Sequence, residues 1–80
     1  MTYTIIYEKI TDESLPDDYY YVNIPALDLT THGIGIEGAK NAALDLMKLW
    51  LEEKKANGEA IPIEKETLIS KIELEDALLR

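Results

Sequence analysis

Residues 36 to 56 read IEGAKNAALDLMKLWLEEKKA, the one long segment of the chain with helical periodicity. Asn57 and Gly58 follow it, a pair suited to a left-handed helix end, and Gly35 lies where an N-cap belongs. Gly38, one turn into the segment, costs about 1 kcal/mol relative to alanine in a helix, so we expect another element to pack close to the backbone there. The sequence predicts one long helix over this stretch.

The apolar arc of this predicted helix spans roughly 220°, against the roughly 100° that a helix on a single sheet requires. The arc consists of a central stripe, Ile36, Ala39, Ala43, Leu46, Met47 and Trp50, and of flanking positions, Ala42, Leu44, Leu49 and Leu51. Two interpretations stay open: leucines exposed singly on the helix flanks, or a second burial partner such as another protomer. Leu44, Leu49 and Leu51 are therefore candidate dimer-interface residues.

Strand-like patterns precede the helix. Residues 2–10 and 19–24 have the two-residue period of strands, and residues 29–32 suit a short third strand. Residues 11–18 are dense in turn formers, and Pro16 has no amide hydrogen to give, so we expect a hairpin loop between the first two strands.

The segment after the helix fits two structures. Leu68, Ser70, Ile72 and Leu74 fall on one face of a possible strand, whereas Leu68, Ile69, Ile72 and Leu79 also suit a helix. We predict a strand at about 67–75 followed by a stub, because a small sheet needs further strands to be stable alone. Ile69, Ile72 and Leu74 join the candidate dimer-interface residues.

These elements predict an α+β fold in a single domain over residues 1–80. Its mainly antiparallel sheet has three to four strands in the chain order β-β-β-α-β, and the long helix covers one face. A chain of 80 residues without cysteine buries only about 60% of its unfolded surface and has no disulfide to stabilise it. Self-association is one way to bury more.

The chain is acidic, with 16 Asp and Glu against 8 Lys and Arg and a formal net charge of −8. This surplus opposes direct binding to nucleic acid phosphates or to an anionic membrane, and it favours a basic partner. The N-terminus has no signal-peptide pattern, and no stretch approaches the ~20 apolar residues of a membrane span. We therefore expect a cytoplasmic protein.

Residues that carry catalysis are sparse. The chain has one histidine and no cysteine, so a metal site would rest on His32 and carboxylates. The glycines of residues 33–38 resemble a phosphate loop, but no Lys-Ser/Thr pair follows them. We expect no catalytic residue, no cofactor, no metal and no enzyme activity. The alternative is a metal-dependent nuclease that uses Glu8, Asp18 and Asp28.

Tyr19 and Tyr21 alternate with Tyr20 and so lie on the other face of the second strand. If the helix covers the face of Tyr20, these two rings lie on the open side of the sheet. Base-stacking platforms have basic surroundings, so protein contact or cross-strand packing explains the rings better. The candidate partner-binding residues are Asp17, Asp18, Tyr19, Tyr21 and Asp28.

Four short strings and an alanine-rich helix follow one another along the chain. They are Tyr20-Tyr21-Val22, Pro25-Ala26-Leu27-Asp28, Thr31-His32-Gly33 and Gly58-Glu59-Ala60-Ile61-Pro62, with Ala39, Ala42 and Ala43 on the helix. Their order and spacing, over about residues 3–75, resemble the HicB family of antitoxins. The chain departs from the family pattern at Asp18, at Ala26 and at the start of the helix. Family members commonly continue into a DNA-binding segment, which we do not expect in this chain.

The resemblance implies a partial ribonuclease-H-like fold without a working nuclease centre. It also implies a role, which is to hold a small basic HicA-type ribonuclease toxin inactive by covering its active surface. The partners expected are that toxin and further copies of this chain, in a homodimer or higher homo-oligomer, with no direct contact to nucleic acid or membrane. Two alternatives stay open: a degenerate ribonuclease-H-like nuclease, and a free-standing homodimer with a structural or ligand-binding role.

Overall fold

A computed structural model describes residues 1–79 as a three-stranded antiparallel sheet followed by one long helix. The elements are β1 (Ile6–Ile10), β2 (Tyr19–Ile24), a 3-10 turn (Pro25–Leu27), β3 (Leu29–Ile34), α1 (Gly35–Ala56) and a second 3-10 turn (Asp76–Leu79). The strands lie in the order β1-β2-β3, so β2 is central. The predicted α+β class is confirmed.

Both ends of α1 are formed by glycines in the left-handed region. Gly35 has φ of +73°, and its N–H donates to the carbonyl oxygen of Asp18 at 2.7 Å, which joins the start of the helix to the start of β2. At the other end Gly58 has φ of +68° and donates to the carbonyl of Lys55, while Glu59 donates to that of Lys54. This pair of bonds is the Schellman motif, as the Asn57-Gly58 sequence indicated.

The core lies between α1 and the inner face of the sheet. Its buried residues are Val22, Ile24, Leu27, Ala39 and Ala43, and the half-buried residues packed on them are Tyr3, Ile5, Tyr7, Tyr20, Leu29, Met47 and Trp50. Because side chains alternate along a strand, Tyr20, Val22 and Ile24 face α1 while their neighbours in β2 face away. Ile36, which the sequence placed in the apolar stripe, is exposed.

Gly33 allows α1 to lie directly against β3. A Cβ atom at Gly33 would come within 2.7 Å of the backbone nitrogen of Ala39 and of the carbonyl carbon of Gly38. A Cβ atom at Gly38 would meet nothing within 4 Å. The expected close approach to the backbone of Gly38 is present, but the residue that must lack a side chain is the strand glycine.

The predicted strand at about 67–75 is wrong. Residues 59–75 have no regular secondary structure, and the predicted stub is the 3-10 turn Asp76–Leu79. The return segment meets the start of the sheet through a side chain, because the N–H and hydroxyl of Thr4 both donate to the Glu64 carboxylate, at 2.6 and 2.7 Å. Pro62, which accepts from the Tyr3 hydroxyl, has no N–H to give a backbone ladder.

Residues 59–79, here called the C-terminal arm, make the molecule elongated. The radius of gyration is 16.0 Å, and the principal extents are 53, 30 and 17 Å. A compact chain of this length has a radius of gyration of about 12 Å. Within residues 1–79, no helix combines the length and apolar character needed to cross a membrane.

Candidate protein-binding surface

The face of the sheet opposite α1, here called the open face, is built from three rows of cross-strand neighbours. The rows are Ile10–Tyr19–Ile34, Glu8–Tyr21–His32 and Ile6–Asn23–Thr30. They alternate with the rows that carry the buried residues of β2. Strand pairing therefore sets the aromatic and isoleucine side chains of this face next to one another.

Tyr19 is held in place by His32 on the neighbouring strand. The two rings stack with their centroids 5.4 Å apart and their planes at 29°, and the Tyr19 hydroxyl and Nδ1 of His32 are joined by a hydrogen bond. Tyr21 lies in the next row and is 37% exposed, while Ile34 at the edge of the face is 60% exposed. The open face thus presents one ring fixed by a neighbour and a second ring accessible to a partner.

Asp17 and Asp18 lie at one end of the sheet, where the β1–β2 loop enters β2. Nζ of Lys9 lies 3.0 Å from Oδ1 of Asp18. The hydrogen bond from Lys9 to Asp18, together with the Asp18 charge, raises the pKa of the Lys9 ammonium. Asp17 is exposed at the same end.

A third loop carboxylate, Asp12, orders the loop itself. It accepts the Ser14 N–H at 2.9 Å and the Ser14 hydroxyl at 2.8 Å, and these bonds lower the pKa of Asp12. The bond from the Leu15 N–H to the Asp12 carbonyl closes the turn at 3.0 Å. The loop that carries the negative charge therefore has its own internal structure.

Asp28 lies apart from the other candidate partner-binding residues. It follows the 3-10 turn Pro25–Leu27 with φ of +53°, and its N–H donates to the Pro25 carbonyl at 3.2 Å. The six residues of β2 and the three of the 3-10 turn lie between Asp18 and Asp28, and β2 alone spans about 20 Å at the rise of a strand. The structure groups Asp17, Asp18, Tyr19 and Tyr21 and leaves Asp28 at the opposite end of the sheet.

The same separation bears on the nuclease alternative. Glu8 projects from the open face, and Asp18 and Asp28 lie at opposite ends of β2. Among the residues that the structure describes, no group of three or more His, Asp or Glu side chains could hold a metal ion. The three carboxylates proposed from the sequence are not brought together.

The candidate dimer-interface residues lie on two further surfaces. On α1, Leu44 and Leu49 are exposed and Leu51 is half-buried. On the C-terminal arm, Ile69, Ile72 and Leu74 are all exposed. Exposed helix leucines are thus observed, and the flanks of the wide apolar arc at Leu44 and Leu49 are left uncovered within the single chain.

The sequence prediction missed His32 and Ile34 as part of the open face. Both belong to β3, whose alternation of half-buried and exposed residues continues to Ile34. The signal is present in the alternation of Thr30, His32 and Ile34, but the sequence prediction ends the strand at residue 32. Two more residues in the strand add an exposed isoleucine beside Tyr19.

Comparisons of this chain with protein-family models, with curated proteins and with solved structures found no match. The surface is therefore interpreted from its own composition. It combines tyrosine and isoleucine side chains with charged groups at the margin, a combination typical of protein–protein interfaces.

Proposed function

We propose that this chain is an antitoxin-type binding module. It neutralises a small basic ribonuclease of the HicA type by protein–protein contact in the cytoplasm, and it has no catalytic activity of its own. The observation that carries the proposal is the open face with its acidic end, where Tyr19, Tyr21 and Ile34 lie beside Asp17 and Asp18.

The side chains of the open face suit a contact that excludes water. Tyrosine supplies a large contact area with few rotatable bonds, so little conformational entropy is lost when a partner covers it. Tyr19 is already restrained by His32, and the exposed edge of Tyr21 and the exposed Ile34 are adjacent to it. Interfaces concentrate their binding energy in a few such residues near the centre.

The charge of the chain favours a basic partner over RNA. A net charge of −8 repels phosphates and attracts a protein that itself binds phosphates. Because Asp17 is exposed at this end of the sheet, it can pair with the lysine and arginine side chains that such a ribonuclease uses to hold RNA, whereas the Asp18 carboxylate is already paired with Lys9. The bound module would then oppose RNA both by occupying the surface and by its charge.

Co-expression with the small basic protein encoded next to this chain tests the proposal. We expect the neighbour alone to arrest growth and cleave RNA, and both effects to disappear when this chain is co-expressed and co-purifies with it. A neighbour that is harmless alone, or that stays toxic and unbound beside this chain, would contradict the proposal.

Matched variants locate the contact. Tyr21→Ala should raise the dissociation constant by about 30-fold, the effect of removing a hot-spot side chain, whereas Leu49→Ala on α1 should change it less than about threefold.

Asp17→Lys and Asp45→Lys alter the net charge equally, but only the first should slow association strongly. The association rate of the unaltered chain should fall as ionic strength rises to about 0.15 M. If the two variants of each pair changed binding equally, the open face would be excluded as the contact surface.

A further inference from the structure

The C-terminal arm carries six of the twelve large apolar residues that are exposed in the described part of the chain. We propose that two copies of this chain exchange their arms, and that each arm adds a fourth strand to the free edge of β3 in the other copy. This self-association needs no toxin and is independent of the proposed function.

The arm is attached to the body at one point and is exposed beyond it. Residues 62–64 contact the start of the sheet through the Tyr3 hydroxyl and through the two bonds from Thr4 to Glu64. Residues 63–67 line a shallow groove with Pro25 and Ala26. From residue 68 to residue 78 every residue is exposed. The arm therefore leaves the body with its apolar side chains uncovered.

The pattern of the exposed segment is that of a half-buried strand. Leu68, Ser70, Ile72 and Leu74 fall on one face, which is mainly apolar, and Ile69, Lys71 and Glu73 fall on the other, which is mainly charged. The segment from residue 68 to residue 74 has seven residues, one more than β3. What the segment lacks in the single chain is a neighbouring strand to receive its backbone hydrogen bonds.

β3 offers such a neighbour. It lies at the edge of the sheet, and in the part of the chain that the structure describes its outer side makes no backbone hydrogen bond to another strand. Its sequence, LTTHGI, contains neither lysine nor proline, the residues that commonly protect an edge from pairing. The opposite edge, β1, carries Lys9, and the chain just before it contacts the arm.

The exposed area is sufficient for a stable dimer. The exposed apolar residues on one face of the proposed strand are Leu68 (83%), Ile72 (83%) and Leu74 (54%). At about 100 Å² of apolar surface for a fully exposed leucine or isoleucine, this face of one arm offers about 220 Å². Two arms and the surfaces that they cover amount to about 900 Å² of apolar area. Because about 65% of a homodimer interface is apolar, the total interface is about 1,400 Å², within the range of about 1,200–2,000 Å² for specific interfaces.

A second copy of the chain provides a pairing partner both for the arm and for the free edge of β3. The arm is attached beside β1, so the width of the sheet separates its attachment point from the free edge of β3 in the same copy. In an exchange about a twofold axis, each copy donates one arm and receives one, so the assembly closes as a dimer. The arm residues Leu68, Ile72 and Leu74 are then interface residues, and Ile69 lies on the opposite face of the strand.

The mass of the full-length chain in solution, measured by sedimentation over a range of concentrations, tests the exchange. We expect a dimer, and the double variant Ile72→Ser with Leu74→Ser should raise its dissociation constant by at least about 100-fold. The control, Lys71→Ser with Glu73→Ser, changes the opposite face of the same segment and should leave the dimer intact. Circular dichroism should show both variants folded, because residues 71–74 are exposed and lie outside the core cluster.

Nuclear Overhauser effects in a sample that mixes labelled and unlabelled chains identify where the arm docks. We expect contacts between methyl groups of residues 68–74 in one copy and amide protons of Leu29–Ile34 in the other. A chain that stays monomeric, a dimer insensitive to the double variant, or arm contacts confined to a single copy would each overturn the proposal. Loss of dimerisation with toxin binding retained would leave the proposed function standing.

Discussion

Gly33 and Gly38 lie close together where β3 meets α1, but only one of them is required by packing. The strand glycine faces the helix backbone at a distance that no Cβ atom tolerates, and the helix glycine faces open space. The sequence shows that both glycines lie near the strand–helix junction. It does not show which one the other backbone approaches, since that depends on how α1 is seated on the sheet.

Gly33→Ala should lower the free energy of unfolding by about 1–3 kcal/mol, because the added methyl group forces α1 away from β3. Gly38→Ala should raise it by up to about 1 kcal/mol, since alanine is the better helix former and its Cβ meets nothing. Urea unfolding of the two single variants measures both changes. Effects of the same sign would contradict the assignment of the close approach to Gly33.

The C-terminal arm is joined to the sheet by a carboxylate and not by a backbone ladder. The N–H and the hydroxyl of Thr4 both donate to the Glu64 carboxylate. These bonds lower the pKa of that carboxyl group, and the bond from the N–H has the larger effect. The ionised form is therefore the one that holds the arm. The contact contributes fully above the ordinary glutamate pKa of 4.5 and is lost as the pH falls through the lowered value.

Acidification should release the arm from the start of the sheet. As the pH falls below about 4.5, we expect the amide resonance of Thr4 to move toward its unfolded position. The Thr4 amide should also lose its protection against hydrogen exchange. In Glu64→Gln, which cannot ionise, the Thr4 amide should have the loosened shift already at pH 7. Glu66→Gln, an exposed neighbour, is the matched control and should keep the response of the unaltered chain. A Thr4 amide unaffected by Glu64→Gln would contradict this account.

The whole molecule is an acidic chain with few compensating contacts. Sixteen carboxylate residues face eight cationic ones. In the described residues the close ion pairs are Lys9 with Asp18 and Lys54 with Glu59, and all four side chains are substantially exposed. Exposed pairs of this kind contribute little, so repulsion among the surplus carboxylates outweighs them.

Salt should therefore stabilise the fold. Raising the ionic strength from about 0.01 to about 0.15 M shortens the screening length from about 30 to about 8 Å and should raise the free energy of unfolding by about 0.5–1 kcal/mol. Chemical unfolding at a fixed protein concentration measures the change. The variant Asp45→Asn with Glu52→Gln removes two exposed charges and should respond less. Stability that falls as salt is added would show that the ion pairs dominate instead.

Strands, the long helix and its termination are predictable from the sequence because their causes are local. A period of two residues, a period of 3.6 residues and a glycine at a left-handed terminus act within a few positions of the chain. The same alternation separates Tyr19 and Tyr21 from the core face of β2. The sequence prediction ends β3 before Ile34, because a glycine at position 33 is typical of a strand end. In the structure Gly33 packs against α1 and is part of the strand.

The arm and the composition of the open face required the tertiary structure. The segment around residues 67–75 has the alternation of a strand, yet a strand forms only where a neighbouring strand pairs with its backbone, and in the folded chain this segment pairs with none. Likewise, the register of three strands places Tyr19 beside His32 and leaves Asp28 at the far end. Local periodicity is a property of a few consecutive residues, whereas pairing and proximity depend on segments that are distant in the sequence.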